Sequence, residues 1–367
     1  MVTSAEIDFS PIAGQAQVGR FLAATLDSGR LAHGYLFTGP AGTGKRAVAV
    51  RFAQALVCSS GDRRPCGVCA SCRQFSSHSH PYVSFIFAHP KSAKEDDLNS
   101  LLQTLVSDPY DFSLPWNNPR ISIEDIRALR QRMSLKSESG ARRVIVILEA
   151  QTMTPEATNA LLKILEEPPD ETYFILTSSA PDTILPTIIS RCQQLKFSLL
   201  SAADIEKALQ QRGAGDAGEI PIIARMARGS MQQALELVSE GISGQSEQTL
   251  ELLRTCFRPP SSSAQYVTKL VDKHDRKGIA TLLESLLYLL RDAWLVASLG
   301  DQLDENALTN RDVIDTLRRF AGSYQKFDYP AAIREVERAL RMLDRYVQPQ
   351  LVLMGLIIHI NRLSGQS

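Results

Sequence analysis

A chain of 367 residues has room for two or three domains, and 44% hydrophobic with 22% charged residues is an ordinary soluble globular composition. Lys+Arg and Asp+Glu both number 40, so nothing in the net charge predicts a stand-alone electrostatic DNA binder. No apolar run reaches the roughly 18 residues that a membrane-spanning helix needs, and the acidic, polar stretch Met1 to Ser10 does not read as a signal peptide, so a cytoplasmic setting is expected.

Residues 14–29 are predicted as a helix, and Tyr35-Leu36-Phe37-Thr38 as a short buried strand. That strand feeds Gly39-Pro40-Ala41-Gly42-Thr43-Gly44-Lys45-Arg46, and Ala47–Val57 follows as a helix. From Gly39 to Lys45 the phosphate-loop pattern G-x-x-x-x-G-K is complete, with strand before and helix after as the motif requires. Gly39, Gly42 and Gly44 let backbone N–H groups turn toward phosphate, and Lys45 reaches for the terminal phosphates. The next residue should offer a hydroxyl to magnesium. Arg46 has five N–H donors and no acceptor, so it cannot ligate the ion.

Cys58, Cys66, Cys69 and Cys72 follow with the spacing C-x7-C-x2-C-x2-C. Four thiolates in so short a stretch suit one tetrahedral zinc with no open position, which makes the site structural; a redox C-x-x-C pair leaves the other two cysteines unexplained. His78 and His80 are spare ligand candidates and are expected instead as exposed loop residues. Cys192 and Cys256 stand alone and are expected as buried small apolar groups.

Tyr82–Phe87, Val144–Leu148, Tyr173–Thr177 and Gln194–Phe197 are further strand candidates. Apolar on both faces and separated by helices, they predict a parallel sheet covered on both sides. Residues 88–120 read as an irregular, polar insertion without assignable chemistry. Ile123–Leu135 is an amphipathic helix, and Arg127, Arg130, Arg132, Lys136, Arg142 and Arg143 make its surroundings locally basic, either a solvated face or a contact for a nucleic-acid backbone. Thr154-Pro155 caps a helix that Pro168-Pro169 stops.

A phosphate-loop hydrolase also needs a carboxylate for magnesium and a base that orients water. Val144–Leu148 ends in Leu148-Glu149-Ala150, where an Asp-Glu pair would be expected. Two registers are open. Either Glu149 stands for the base with Leu148 in the metal ligand's place, or Glu149 is the metal ligand and the base is missing. Ser190-Arg191-Cys192 lies just before the last strand; its arginine is a surface charge unless it faces another subunit's phosphate.

After Ser198 no further strand is expected. Residues 201–213, 219–228 and 230–240 are predicted as three short helices broken at Gly213 and Gly229, with a start signal at Ser201–Asp204. Residues 241–248 read as a linker. The remainder is helical, with a break at Pro259–Ser263 and long apolar-periodic helices at Leu282–Leu299, Ile333–Tyr346 and Leu351–Leu363.

Taken together, His33–Pro40, the cysteine cluster behind the phosphate-loop helix, Asn159-Ala160-Leu161-Leu162-Lys163-Ile164-Leu165-Glu166-Glu167-Pro168-Pro169 and Ser190-Arg191-Cys192 resemble the bacterial DNA polymerase III clamp-loader subunits of the AAA+ superfamily. The resemblance is dense over residues 10–240, and Tyr346–Leu351 extends it more weakly to the end. It implies a RecA-like α/β core at 1–198 with a zinc module at about 58–72, a three-helix lid at 199–245 and an all-α collar at 246–367. Motor subunits of that family, gamma and tau, keep the hydroxyl, the Asp-Glu pair and a lid arginine; here Arg46, Leu148 and Gln232 stand in those places. Arg191 matches the arginine that acts in trans. The resemblance is therefore to the non-motor, delta-prime branch: a stator-like subunit that helps place the sliding clamp on primed DNA. It implies gamma/tau and delta subunits as partners, structural zinc, and Arg191 completing a neighbour's ATP site. Whether ATP and magnesium bind at Gly39, Gly42, Gly44 and Lys45 stays open. The competing readings are an ATP-hydrolysing subunit of the gamma or tau kind and a stand-alone zinc-containing DNA-binding protein.

Overall fold

Strands apolar on both faces can only be buried between two layers, and that is how this chain uses them. In the computed structural model, β1 (Gly34–Thr38), β2 (Val83–Ile86), β3 (Arg143–Ile147), β4 (Thr172–Ser178) and β5 (Gln193–Lys196) form one parallel sheet in the order β2-β3-β4-β1-β5. The structure describes residues 7, 9, 12–60, 63–116, 118–133, 141–240, 242–274, 276–305, 308–310, 313–345 and 347–363. Successive side chains alternate between two cores. Tyr35, Phe37, Val144, Val146 and Ile175 enter one, and Leu36, Ile145, Ile147, Phe174 and Leu176 the other. The first core is closed by α1 (Ala16–Asp27), α2 (Lys45–Val57), α3 (Ala70–Ser76) and α4 (Glu95–Ser107) through Leu22, Phe52, Phe75 and Leu105. The second is closed by α5 (Ile123–Met133), α6 (Pro155–Glu166) and α7 (Pro186–Ile189) through Ile126, Leu129, Leu161 and Ile188. The parallel sheet covered on both faces is as expected.

Three further helices, α8 (Ala202–Arg212), α9 (Ile220–Met226) and α10 (Met231–Glu240), also lie where the sequence predicts them. Ser201 and Asp204 form a reciprocal capping box at the start of α8. Gly213 (φ 61°) ends α8 in the left-handed region.

Three segments differ from expectation; one is the break expected at Pro259–Ser263, where residues from Pro260 on open a helix that runs to Lys273. Residues 88–120 are not wholly irregular, because they contain α4. Leu98, Leu101, Leu102 and Leu105 recur at helical spacing, and Leu105 is fully buried with the other three packed against the same core. Glu95, Asp96 and Asp97 occupy the first turn, where they complement the positive end of the helix dipole. Residues 241–248 are not an extended linker, since α11 (Ile242–Thr255) runs through Ile242–Gln248. Thr249, Leu250, Leu252 and Leu253 anchor that helix by burial. Once an anchored turn exists, each added residue gains one hydrogen bond, which offsets the roughly 1 kcal/mol that a glycine such as Gly244 costs inside a helix.

The chain forms two compact units, Met1–Glu236 and Leu237–Ser367. The first holds the sheet, α1–α9 and α10 up to Glu236. The regular secondary structure described in the second is all helical, continuing from α11 into α12 (Pro260–Lys273), α13 (Arg276–Leu299), α14 (Ile314–Ser323), α15 (Tyr329–Asp344) and α16 (Pro349–Arg362). The long helix α13 is its axis: Leu282, Leu283, Leu286, Leu289, Leu290 and Ala293 are buried, and α11, α14 and α15 pack on it. The carboxylate of Asp292, almost fully buried on α13, accepts hydrogen bonds from the Thr309 N–H (3.1 Å), the Asn310 N–H (2.7 Å) and Asn310 Nδ2 (2.7 Å), which satisfies its charge. No helix among the described residues is long and apolar enough to cross a membrane.

Candidate functional site

A parallel sheet brings the carboxyl ends of β1, β3 and β4 to one edge, and ligand sites of open α/β sheets lie at such edges. The phosphate loop leaves β1 there. A Cβ on Gly39 would come within 2.2 Å of the Phe197 carbonyl oxygen, so no side chain fits there, and Gly42 (φ 74°) and Gly44 (φ 96°) hold left-handed backbone that favours glycine. Lys45 opens α2 and is only 3% exposed. Its Nζ donates to the Gly39 carbonyl (2.7 Å) and the Pro40 carbonyl (2.6 Å) of its own loop. Burial pulls the Lys45 pKa down to about 8, with the Glu149 carboxylate opposing the shift.

Arg46 turns away from the loop. Its guanidinium donates to the Phe112 carbonyl and to Gln232 Oε1 (3.0 Å), and lies 5.2 Å from the centroid of the Phe112 ring. Gln232 Nε2 in turn donates to Glu236 Oε1 (3.1 Å). Desolvation lowers the Arg46 pKa, against the charges of Glu149 and Glu236. Met231 N–H donates to the Gly42 carbonyl (2.9 Å), so the start of α10 sits directly on the loop.

At the end of β3 the structure places Leu148 and Glu149 as follows. Leu148 is 1% exposed and belongs to the first core, so it presents nothing to an ion. Glu149 stands just beyond, in left-handed backbone (φ 50°). Its Oε2 accepts from Ser179 Oγ (2.6 Å), Ser179 N–H (3.2 Å) and Gln151 Nε2 (2.6 Å). Burial alone would raise its pKa, but the Ser179 and Gln151 hydrogen bonds and the Lys45 and Arg46 charges hold it below the usual carboxylate value.

Arg191 follows α7 on the surface. Its guanidinium donates to the Thr187 carbonyl (3.0 Å) and pairs with Glu166 Oε1 (2.9 Å) at the end of α6. The pair is 35% and 50% exposed.

The four cysteines converge. Their sulfur atoms all lie within 4.8 Å of one another, with Cys58–Cys69 at 4.0 Å and Cys66–Cys72 at 3.9 Å. Zinc–sulfur bonds of about 2.3 Å at tetrahedral angles require sulfurs roughly 3.8 Å apart, so the donor set fits zinc. Backbone N–H groups of Cys66, Cys69 and Cys72 point at the sulfurs of Cys58, Cys66 and Cys69 at 3.3–3.4 Å, which favours thiolates. His78 is exposed, and His80 Nδ1 accepts from the Tyr82 N–H (3.2 Å), so neither histidine joins the cluster.

A family model described as DNA polymerase III, delta subunit, matches residues 14–201. This chain belongs to that family. The tau subunit of Bacillus subtilis is 29% identical over 289 residues, which cover 77% of this chain and 46% of tau. The delta-prime subunit of Haemophilus influenzae is 26% identical over 348 residues, which cover 94% of this chain and 92% of that one. A DNA polymerase III gamma-subunit-related protein of Thermotoga maritima aligns over 91% of this chain and 95% of its own, with a TM-score of 0.43 at 16% identity. The chain spans about half the length of the tau and gamma/tau relatives it matches, 46% and 59% for those of B. subtilis and Mycobacterium tuberculosis.

Within this delta-family chain the loop glycines, Lys45, Arg46, Glu149 and Gln232 come together, whereas Arg191 is placed elsewhere, against Glu166. The basic region divides. Arg127, Arg130 and Arg132 are exposed on α5, Arg142 donates to the Leu56 carbonyl (3.3 Å), and Arg143 donates to the Met133 carbonyl (2.9 Å). Lys136 lies outside the described residues. Cys256 is buried as expected, while Cys192 is half-buried, its sulfur against Gly34. Sequence reasoning missed Phe112, Ser179 and Glu166. Ser179 directly follows β4, the neighbour of β1 and β3, so the strand order would have found it. Glu166 lies inside the Asn159–Pro169 block. Phe112, 66 residues beyond Arg46, has no local signal.

Proposed function

We propose that this chain is a non-motor, stator-like subunit of the DNA polymerase III clamp loader, which helps load the sliding clamp onto primed DNA and supplies Arg191 as an arginine finger in trans. The observation that carries the reading is a contrast between two arginines. Arg46, where a hydroxyl for magnesium would stand, is bound into the protein by Phe112 and Gln232, while Arg191 lies on the surface with its guanidinium partly open. The groups that would serve the chain's own nucleotide are replaced, and the group that would serve a neighbour's is retained. The partners would be the gamma/tau motor subunits and the delta subunit, with clamp and primed DNA met through the complex. In this reading residues 1–198 are the RecA-like AAA+ core, 199–245 the lid and 246–367 the collar, and zinc on the four cysteines is structural.

The test is Arg191→Ala in a complex reconstituted with motor subunits. Assembly should survive while the DNA-stimulated ATPase falls, by about 10³-fold per affected site if the residue behaves as other arginine fingers do. Unchanged turnover would refute the role. The complete Gly39–Lys45 cradle favours one second reading, an ATP-hydrolysing subunit of the gamma/tau kind. Turnover by the isolated chain that Lys45→Ala abolishes would establish it.

A further inference from the structure

We propose that Arg46 and Gln232 form a latch that holds the helices of residues 202–236 onto the phosphate loop. The inference begins from an awkward placement. Arg46 lies in the first turn of α2, beside Lys45 and at the positive end of the helix dipole, where a second cation is disfavoured. It is tolerated because three separate elements answer it: the Phe112 carbonyl and ring from the segment after α4, Gln232 Oε1 from α10, and the charges of Glu149 and Glu236. Gln232 works as a relay, accepting from Arg46 through its oxygen and donating to Glu236 through its nitrogen.

The two residues fit each other and not the alternatives. An arginine at 232 would set two guanidinium groups against one another. A threonine at 46 is too short to reach either the Phe112 carbonyl or Gln232. Arg46 and Gln232 are thus complementary partners across two helices. Around them the contact is close: Met231 N–H bonds to the Gly42 carbonyl, and Ser230 packs against Gly42. The latch does not depend on the clamp-loader reading, because its consequences appear in the isolated chain.

Hydrogen exchange on the full-length protein tests it. Arg46→Thr should speed amide exchange across 202–236 and around Phe112 by about ten-fold, as expected for loss of charge-assisted bonds at a local opening, and leave β1 and α6 protected. Gln232→Ala should loosen the same residues, and the double variant should exchange no faster than Arg46→Thr alone. Unchanged exchange, or effects of the two substitutions that multiply independently, overturns the latch. Should Arg46→Thr not fold, Gln232→Ala decides alone: faster exchange at 202–236 supports the latch and unchanged exchange overturns it. Failure here would leave the Arg191 test untouched, since that test is read on the assembled complex.

Discussion

Lys45 carries a titratable amine into the loop at 3% exposure, and its pH dependence follows from that burial. The folded pKa of about 8 lies below the ordinary 10.5. Between those two values the unfolded chain holds a proton that the folded chain has released. Stability therefore rises with pH across this window, by about 3 kcal/mol in full, since each tenfold difference in proton affinity is worth roughly 1.4 kcal/mol. Below pH 8 both states are protonated and the slope vanishes. In Lys45→Met the rise should disappear, as checked by urea midpoints at about pH 7 and about pH 10 in both proteins. A wild type whose pH dependence matches that of the variant would sink the assignment. At this scale the sequence pointed to Arg46, Leu148 and Gln232 as the places where the resemblance implies other chemistry. It could not say where the replacements go. Arg46 reaches Phe112 and Gln232, 66 and 186 positions away, and only tertiary packing joins them.

The cysteine module was legible at the level of the element because its ligands are local. Cys58 caps the end of α2 and Cys69 accepts from the Cys72 N–H as the N-cap of α3, so the metal would tie two helices through one short segment. Cys72 is fully buried, and Phe75, one turn further on, belongs to the first core. Cys72→Ser should abolish stoichiometric zinc. It should also lower the melting temperature of the first unit by several degrees, corresponding to about 2–3 kcal/mol at this size. Metal content by elemental analysis and thermal melts with and without chelator check this; full stability with no metal bound would refute a structural role. The helix α4 was hidden for the opposite reason. Its apolar residues are at helical spacing, yet the polar and proline-rich residues around them dominate the composition of 88–120.

At the scale of the whole molecule, the change from strands to helices after β5 was visible in the pattern, and so was the helical character of everything beyond. Compactness was not. It depends on which helices bury surface together, and the dividing line between the two units falls at Glu236/Leu237, inside α10, rather than at a change of composition. Each unit carries its own apolar core, the second built around α13. This gives an expectation that separates the two. Leu286 is fully buried on α13, so Leu286→Ala removes methyl groups from a site that cannot fully collapse, at a cost of about 2–5 kcal/mol. The loss should appear as faster exchange through α11, α13 and α15. The strands β1 and β4, which share no core with Leu286, should keep their protection. Conversely, chelation of zinc should loosen α2 and α3 and spare α13. If Leu286→Ala deprotects the sheet as strongly as α13, the two cores unfold as one, and their separation has no energetic meaning.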